Sequence, residues 1–179
     1  MIDPAPHTHY YAFWLFYSLF GRQGRLFNMK RGGKNLMIYE LYGVGLLIES
    51  PSRRILVGKE RRDKPVLGVE AGMWSNPWET RLFGESRRKA WKRLPEEEFP
   101  GVLLPGFTVT HVGVYHPVPT ARLDMYLTHV DAERLPTMSS DILEVSDHRW
   151  VTVEEALELP LRPGAREVLA DHLKRCRAA

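Results

Sequence analysis

The sequence predicts an α/β fold, because runs of β-forming residues alternate with segments that have helical patterning. The first two runs are separated by a Ser-Pro-Ser turn and predict a hairpin. The last two are separated by a proline-containing loop and predict a second antiparallel pair. A charged stretch lies between the pairs, and two helical segments opened by Thr152 and Pro163 follow them. The four predicted strands are residues 36–48, 54–58, 102–116 and 122–130.

Composition and charge place the chain among ordinary globular proteins of one domain. Its 179 residues are 44% hydrophobic and 26% charged, which is enough to bury a substantial core. A net charge of +3 is compatible with anionic substrates, but it is too mild to indicate nucleic acid. The single cysteine, Cys176, has no intrachain partner, so we expect no disulfide and a cytoplasmic location.

The N-terminal residues 1–35 are interpreted as an aromatic and basic extension to a domain that covers residues 36–179. The apolar run Tyr10 to Phe20 is too short to span a bilayer, which needs about twenty residues. We expect it to cover part of the core or a dimer contact, with a membrane-surface or partner-binding patch as the alternative. Residues 21–35 are basic and glycine-rich and predict a linker and turn.

The charged stretch carries the chemistry that the sequence predicts. Glu85, Arg93 and Glu97 are eight and four residues apart, so they share roughly one face of a helix, with Glu98 beside them. Neighbouring carboxylates repel one another unless a cation lies between them. Their hard oxygen atoms suit Mg2+, which binds substrate phosphates in turn. A solvated helix followed by an acidic loop is the alternative interpretation.

The same stretch resembles the Nudix box, G-x5-E-x7-R-E-U-x-E-E-x-G-U, a loop-helix motif of hydrolases. The spacing of the motif is matched by Glu85, Arg93, Glu97 and Glu98. Three positions depart from it: Glu79 replaces the first glycine, Leu94 replaces the glutamate after the arginine, and the last glycine is displaced to Gly101. GDP-mannose mannosyl hydrolases are similar in having Arg-Leu at that point. Further residues that many members share are Trp74, Pro77, Gly84, Ser86 and Ala90.

The resemblance covers about residues 38–175 and implies a Nudix-type α/β/α sandwich with a mixed β-sheet. It implies hydrolysis, dependent on Mg2+ or Mn2+, of a nucleoside diphosphate linked to another moiety, such as a nucleotide sugar. The metal ligands would be Glu85, Glu97 and Glu98, and Arg93 would orient those carboxylates.

The resemblance also indicates residues outside the box. Glu144 would replace the glutamate missing at position 94, either as a base or as a metal ligand, with Asp147 and His148 behind it. Lys59 and Arg62, at the end of a predicted strand, would contact the phosphates, and their alternative interpretation is as solvated surface cations.

Two alternatives stay open at this point. Pro95 lacks an amide donor, so we expect the helix to kink or stop near Leu94 and to leave Glu97 and Glu98 on a separate turn. The departures from the box are also compatible with a catalytically reduced module that binds a nucleotide or a protein. The sequence is compatible with a homodimer as well.

Candidate bases on the later strands are His111, His116 and His129, although a strand histidine is more often packed.

Overall fold

The chain folds into a mixed eight-stranded sheet with helices on both faces. This computed structural model describes residues 24–31, 34–82, 84–136 and 145–178. The strands are β1 (Gly24–Arg31), β2 (Lys34–Glu49), β3 (Ile55–Glu60), β4 (Trp74–Ser75), β5 (Trp78–Thr80), β6 (Thr110–Tyr115), β7 (Ala121–His129) and β8 (Val145–Val151). The helices are α1 (Arg87–Glu98), α2 (Val153–Leu157) and α3 (Ala165–Ala178), with a short 3-10 turn at Pro65–Leu67.

Strand β2 organises the sheet because it pairs with four others. It runs antiparallel to β1, β3 and β5, and parallel to β7. The β6–β7 pair is antiparallel, so both predicted hairpins and the mixed sheet are confirmed. Within the described ranges, none of the helices is long and apolar enough to cross a bilayer.

The alternation of side chains along β2 explains the three layers. Leu46 and Ile48 face one side of the sheet, where they pack with residues of α1 and the loop after it, such as Leu94 and Phe99. Leu47 faces the other side, in a second cluster with residues of α2 and α3. Since each face of the sheet is covered by helices, the predicted α/β/α sandwich is confirmed.

Two expectations about strand positions are wrong. Residues 24–31 form strand β1 along β2, so the predicted linker at 21–35 is replaced there by a paired strand. Residues 102–109 lie outside β6, which starts only at Thr110. The apolar run at residues 10–20 lies outside the described residues, and the division at residue 35 stays a prediction.

The expectation that helix α1 ends near Pro95 is wrong. Ser86 caps its N-terminus by accepting a hydrogen bond from the Lys89 amide at 3.3 Å, and the helix continues through Pro95 to Glu98. Leu94 and Phe99 are fully buried in the core on this face of the sheet. Burial on both sides of the proline favours the continuous helix, because stopping at Leu94 would remove the apolar contacts that follow.

Gly45 in the middle of β2 is required by close packing. A Cβ atom there would lie 2.3 Å from Met125 Sδ and 2.7 Å from Trp78 Cδ1. We expect Gly45→Ala to lower the free energy of unfolding by about 1–3 kcal/mol through overpacking, measured by denaturant titration. Gly43→Ala is the matched control on the same strand, since its nearest contacts are looser, at 3.1 and 3.2 Å. Equal losses in the two variants would contradict the packing argument.

Candidate active site

Arg93 on α1 ties the helix to the strand and loop that precede it. Its Nε and Nη2 atoms donate to the two carboxylate oxygens of Glu85, at 3.0 and 3.1 Å. Nη2 also donates to the Thr80 carbonyl at 3.1 Å, and Nη1 donates to Glu97 one turn along the helix. Nη1 lies 3.7 Å from an oxygen of Glu79. One guanidinium therefore holds together three carboxylates that the sequence spreads over nineteen positions.

The loop before α1 presents Glu85 to that arginine. The Leu82 amide donates to Glu85 Oε2 at 2.8 Å, and Arg81 donates to the Glu85 carbonyl at 2.6 Å. Burial alone would raise the pKa of Glu85, but the hydrogen bonds and charge of Arg93 hold that pKa below its ordinary value. Burial alone would lower the pKa of Arg93, and its carboxylate partners raise it instead. Both groups are therefore charged at neutral pH.

The two carboxylates at the end of α1 have different surroundings. Glu97 is half exposed and pairs with Arg93. Glu98 is only 7% exposed and lies on the wall of a small pocket at the end of the helix. The other charged or titratable side chains of that wall are Glu60, Lys64, His148 and Arg162.

Opposite charges are paired within this pocket. Arg162 Nη1 donates to Glu60 Oε1 at 2.6 Å, and Lys64 Nζ lies 3.0 Å from the other oxygen of Glu60. The Arg162 guanidinium also stacks over Trp78, 4.3 Å from the ring centroid. Arg162 is 6% exposed, so its charge is held in the protein by these contacts. The wall of the pocket thus contains Glu98 together with two cations that both pair with Glu60.

His148 on β8 contributes a neutral imidazole to the pocket. Its Nε2 lies 3.1 Å from the Glu98 backbone carbonyl, which can only accept, so Nε2 carries the proton. Nδ1 is then a basic nitrogen, and it is buried without a hydrogen-bond partner among the described residues. Burial lowers the pKa of His148, against the opposing effect of the Glu98 carbonyl and Asp147. Such a nitrogen can accept a proton from a water molecule.

The lowered pKa of His148 predicts a pH dependence of stability. Between the folded-state pKa and the ordinary value of 6.5, the unfolded chain binds a proton that the folded chain does not. The free energy of unfolding should therefore fall as the pH drops below about 6.5. His148→Gln should reduce this slope in denaturant titrations between pH 5 and 8, and His116→Gln, at an exposed strand end, is the control. An unchanged slope in His148→Gln would contradict the prediction.

The donor set fits Mg2+ if few protein ligands are required. Mg2+ is usually bound by one or two carboxylates together with waters and substrate phosphates. Glu97 and Glu98 are consecutive residues at the end of α1, and each offers one carboxylate, Glu98 on the pocket wall and Glu97 beside Arg93. Both oxygens of Glu85 already accept hydrogen bonds, from Arg93 and Leu82. These contacts therefore indicate that Glu85 positions Arg93 rather than binding a metal.

Three of the predicted residues outside the box do not line this pocket, and a fourth is not among the described residues. Lys59 Nζ lies 5.9 Å from the ring centroid of Trp74, and Trp74 belongs to the core cluster on the side of α2 and α3. Lys59 does not line the pocket of Glu98. Arg62 is exposed and also outside its wall. Asp147 belongs to β8 and pairs with Arg149 at 3.0 Å, so the predicted acidic loop is a strand at this point. Glu144 lies outside the described residues.

The two cations that line the pocket, Lys64 and Arg162, were not predicted from the sequence. Lys64 precedes Pro65 in the loop after β3, and Arg162 precedes Pro163 before α3. The only signal in the sequence was a charged residue beside a proline, which is common in surface turns. The two residues converge only because the β3 end and the α2–α3 connection meet in the fold.

Solved Nudix structures share this architecture. A mutT/nudix family protein from Listeria innocua is 18% identical, with a TM-score of 0.60 over 77% of this chain and 94% of that one. The E. coli dihydroneopterin triphosphate pyrophosphohydrolase is 16% identical, with a TM-score of 0.59 over 75% and 95%. The NUDIX domain of Shewanella oneidensis NrtR, complexed with ADP ribose, is 16% identical, with a TM-score of 0.57 over 76% and 88%. No family model and no curated protein matches the sequence.

The similarity of fold agrees with the arrangement of the box. In this chain the box forms a loop, Gly84 to Ser86, followed by helix α1, as the resemblance in the sequence implied. The helix covers one face of a mixed sheet, and α2 and α3 cover the other. The chain therefore has the Nudix fold.

Proposed function

We propose that this protein is a metal-dependent hydrolase of a nucleoside diphosphate linked to another moiety, such as a nucleotide sugar. The observation that carries the proposal is the junction at Arg93, which fixes α1 against the loop that contains Glu85. That junction holds Glu97 next to Glu98 in the helix, and Glu98 lines a pocket that also contains cations. Carboxylates for a metal and cations for phosphates, side by side, suit a diphosphate.

Each residue then has a distinct role. Glu97 and Glu98 would hold Mg2+ or Mn2+, and the metal would neutralise phosphate charge and help to ionise a water molecule. Glu85 would position Arg93, which in turn orients Glu97. That Glu85 is a metal ligand, as the resemblance implied, stays a prediction. Its contacts favour the role of holding Arg93 in place.

The remaining roles concern the water and the phosphates. The unprotonated Nδ1 of His148 would accept a proton from water, alone or together with Glu144. Lys64 would meet the phosphates in the pocket, and the contacts of Lys59 and Arg62 with the phosphates stay predictions.

The test is turnover of a defined panel. The purified chain would be incubated with Mg2+ or Mn2+ and nucleotide sugars, dinucleotides, ADP-ribose or nucleoside triphosphates, with products followed by phosphorus NMR. We expect turnover of at least one diphosphate-linked compound, only when the metal is present. The products also show whether phosphorus or carbon was attacked. A folded protein that turns over none of them would overturn the proposal.

A second function, as a catalytically reduced binding module, is favoured by one feature of the site. Leu94 replaces the glutamate of the box, and it is fully buried, so α1 has one carboxylate fewer than an intact box. Saturable binding of a nucleotide, observed by calorimetry without any metal-dependent product, would favour the module. The likeness to GDP-mannose mannosyl hydrolases, the cytoplasmic location and the homodimer stay predictions.

A further inference from the structure

A second group of metal-binding side chains lies on the opposite face of the sheet from α1. Glu49 at the end of β2 and His172 and Cys176 on α3 bring one ligand atom each within 4.8 Å of one another. His172 and Cys176 are four residues apart, so they share a face of α3. Leu47, two residues before Glu49 on β2, packs in the cluster of α2 and α3, whereas α1 packs on the other face.

The two distances from His172 to its neighbours are close to those of a tetrahedral metal site. His172 Nε2 lies 2.9 Å from Glu49 Oε2 and 3.7 Å from Cys176 Sγ. A tetrahedral Zn2+ bonded at about 2.0–2.1 Å to nitrogen and oxygen, and at about 2.3 Å to sulfur, separates nitrogen from oxygen by about 3.3 Å and nitrogen from sulfur by about 3.6 Å. For these two pairs, displacements of roughly 0.1–0.4 Å would bring the atoms to metal-ligand separations, and the third pair lies within 4.8 Å.

A buried oxygen in this cluster lacks a hydrogen bond. Glu49 is 2% exposed, and its Oε1 accepts from Arg53 at 2.8 Å. Its Oε2 has no partner that meets hydrogen-bond geometry among the described residues, and His172 Nε2 lies 2.9 Å from it. A carboxylate oxygen buried in this way costs free energy unless a cation or donor meets it.

The chemistry of the donors selects the type of metal. A thiolate, an imidazole and a carboxylate are the ligands of Zn2+, whereas Mg2+ prefers oxygen atoms alone. A neutral His172 imidazole offers its Nε2 lone pair to such an ion. The charges of Glu49 and a Cys176 thiolate would balance those of the ion. Cys176 is exposed, which provides a path for entry.

A fourth ligand is available beside the cluster. His129, the last residue of β7, is the register partner of Glu49 in the parallel β2–β7 pair, so its side chain leaves the same face of the sheet. His129 or a water molecule would complete four-coordination.

We propose that Glu49, His172 and Cys176 form a Zn2+ site that fastens helix α3 to the end of strand β2. The site is independent of the proposed hydrolase function, because it uses none of the residues of the box. Its expected effect is on stability, since an ion that binds only the folded chain raises the free energy of unfolding. It would join two segments that are far apart in the sequence, the end of β2 and the C-terminal helix.

Co2+ can report on this site directly. The full chain, freed of metal by dialysis against a chelator, would be titrated with Co2+ and followed by absorption spectroscopy. Because Cys176 is the only cysteine, a thiolate-to-cobalt charge-transfer band can arise only from this residue. We expect one Co2+ per chain with that band, its displacement by Zn2+, and a melting temperature that rises with Zn2+.

Three variants decide the outcome. Cys176→Ser, at an exposed position, should fold normally, lose the band and bind Zn2+ at least about 100-fold more weakly, beyond the 10–100-fold typical of outer-shell partners. His172→Gln should weaken Zn2+ binding similarly while the thiol remains. The variant with both Glu97→Gln and Glu98→Gln is the control and should keep the band. Absence of the band, or equal Zn2+ affinity in wild type and Cys176→Ser, would overturn the proposal.

Discussion

Replacing Glu97 and Glu98 together by glutamine is expected to lower metal-dependent kcat by at least about a hundredfold, which corresponds to about 2.7 kcal/mol in the barrier. Glutamine keeps the size of the side chain but removes the charge that would hold Mg2+. The measurement is turnover by phosphorus NMR of whichever panel compound is hydrolysed, as a function of metal concentration. Circular dichroism would show that the variant is folded.

The single variants and a neighbour sharpen this test. Glu98→Gln should cost more than Glu97→Gln, because Glu98 lines the pocket whereas Glu97 is half exposed and pairs with Arg93. Glu96→Gln is the matched control, since it removes an exposed carboxylate from the same helix turn and should leave turnover unchanged. Full activity in the double variant would contradict the proposal that these two carboxylates bind the metal.

Arg93→Ala should lower the free energy of unfolding by about 2–3 kcal/mol, because it leaves partly buried carboxylates without their partner. For a chain of this size that loss corresponds to a decrease in melting temperature of roughly 4–12 °C. Arg93→Lys should recover only part of the loss, since an ammonium cannot serve Glu85 and the Thr80 carbonyl in the same planar geometry. Thermal and denaturant unfolding measure both effects.

The pH dependence of the Arg93→Ala loss identifies its source. Glu85 has a lowered folded-state pKa, so its ion pair contributes stability above the ordinary value of 4.5, and that contribution is lost as the pH falls through the folded-state pKa. The difference between wild type and Arg93→Ala should therefore shrink below about pH 4.5. Arg88→Ala, an exposed position on α1, is the control and should stay within about 0.5 kcal/mol of wild type. A similar loss in both variants would contradict the ion-pair explanation.

Local patterns predicted the elements of the fold well. The β-forming runs, apart from residues 102–109, the Ser-Pro-Ser turn and the helix cap at Thr152 each act over a few residues, and each is confirmed. The spacing of Glu85, Arg93 and Glu97 also predicted one shared helix face, but Glu85 precedes the helix and reaches Arg93 from the loop. That contact depends on the turn at Gly84, which has a positive φ of 74°.

Patterns that compete with packing were interpreted wrongly. Proline is unfavourable within a helix, and this preference predicted an end near Leu94. In the fold, burial of Leu94 and Phe99 outweighs the lost hydrogen bond, and the helix extends to Glu98. Residues 24–31 were interpreted as a linker because of their glycine and basic neighbours, yet β2 extends far enough for them to pair along it.

The sequence by itself determined the class of fold, the position of the box and the carboxylates that we assign to a metal, because these depend on residue type and short spacing. Only the tertiary structure decided which cations line the pocket of Glu98, and it brought Lys64 and Arg162 to Glu60. It also brought Glu49 to His172 and Cys176 across most of the chain. Such contacts depend on strand order and on which face each side chain leaves, and neither is encoded in local spacing.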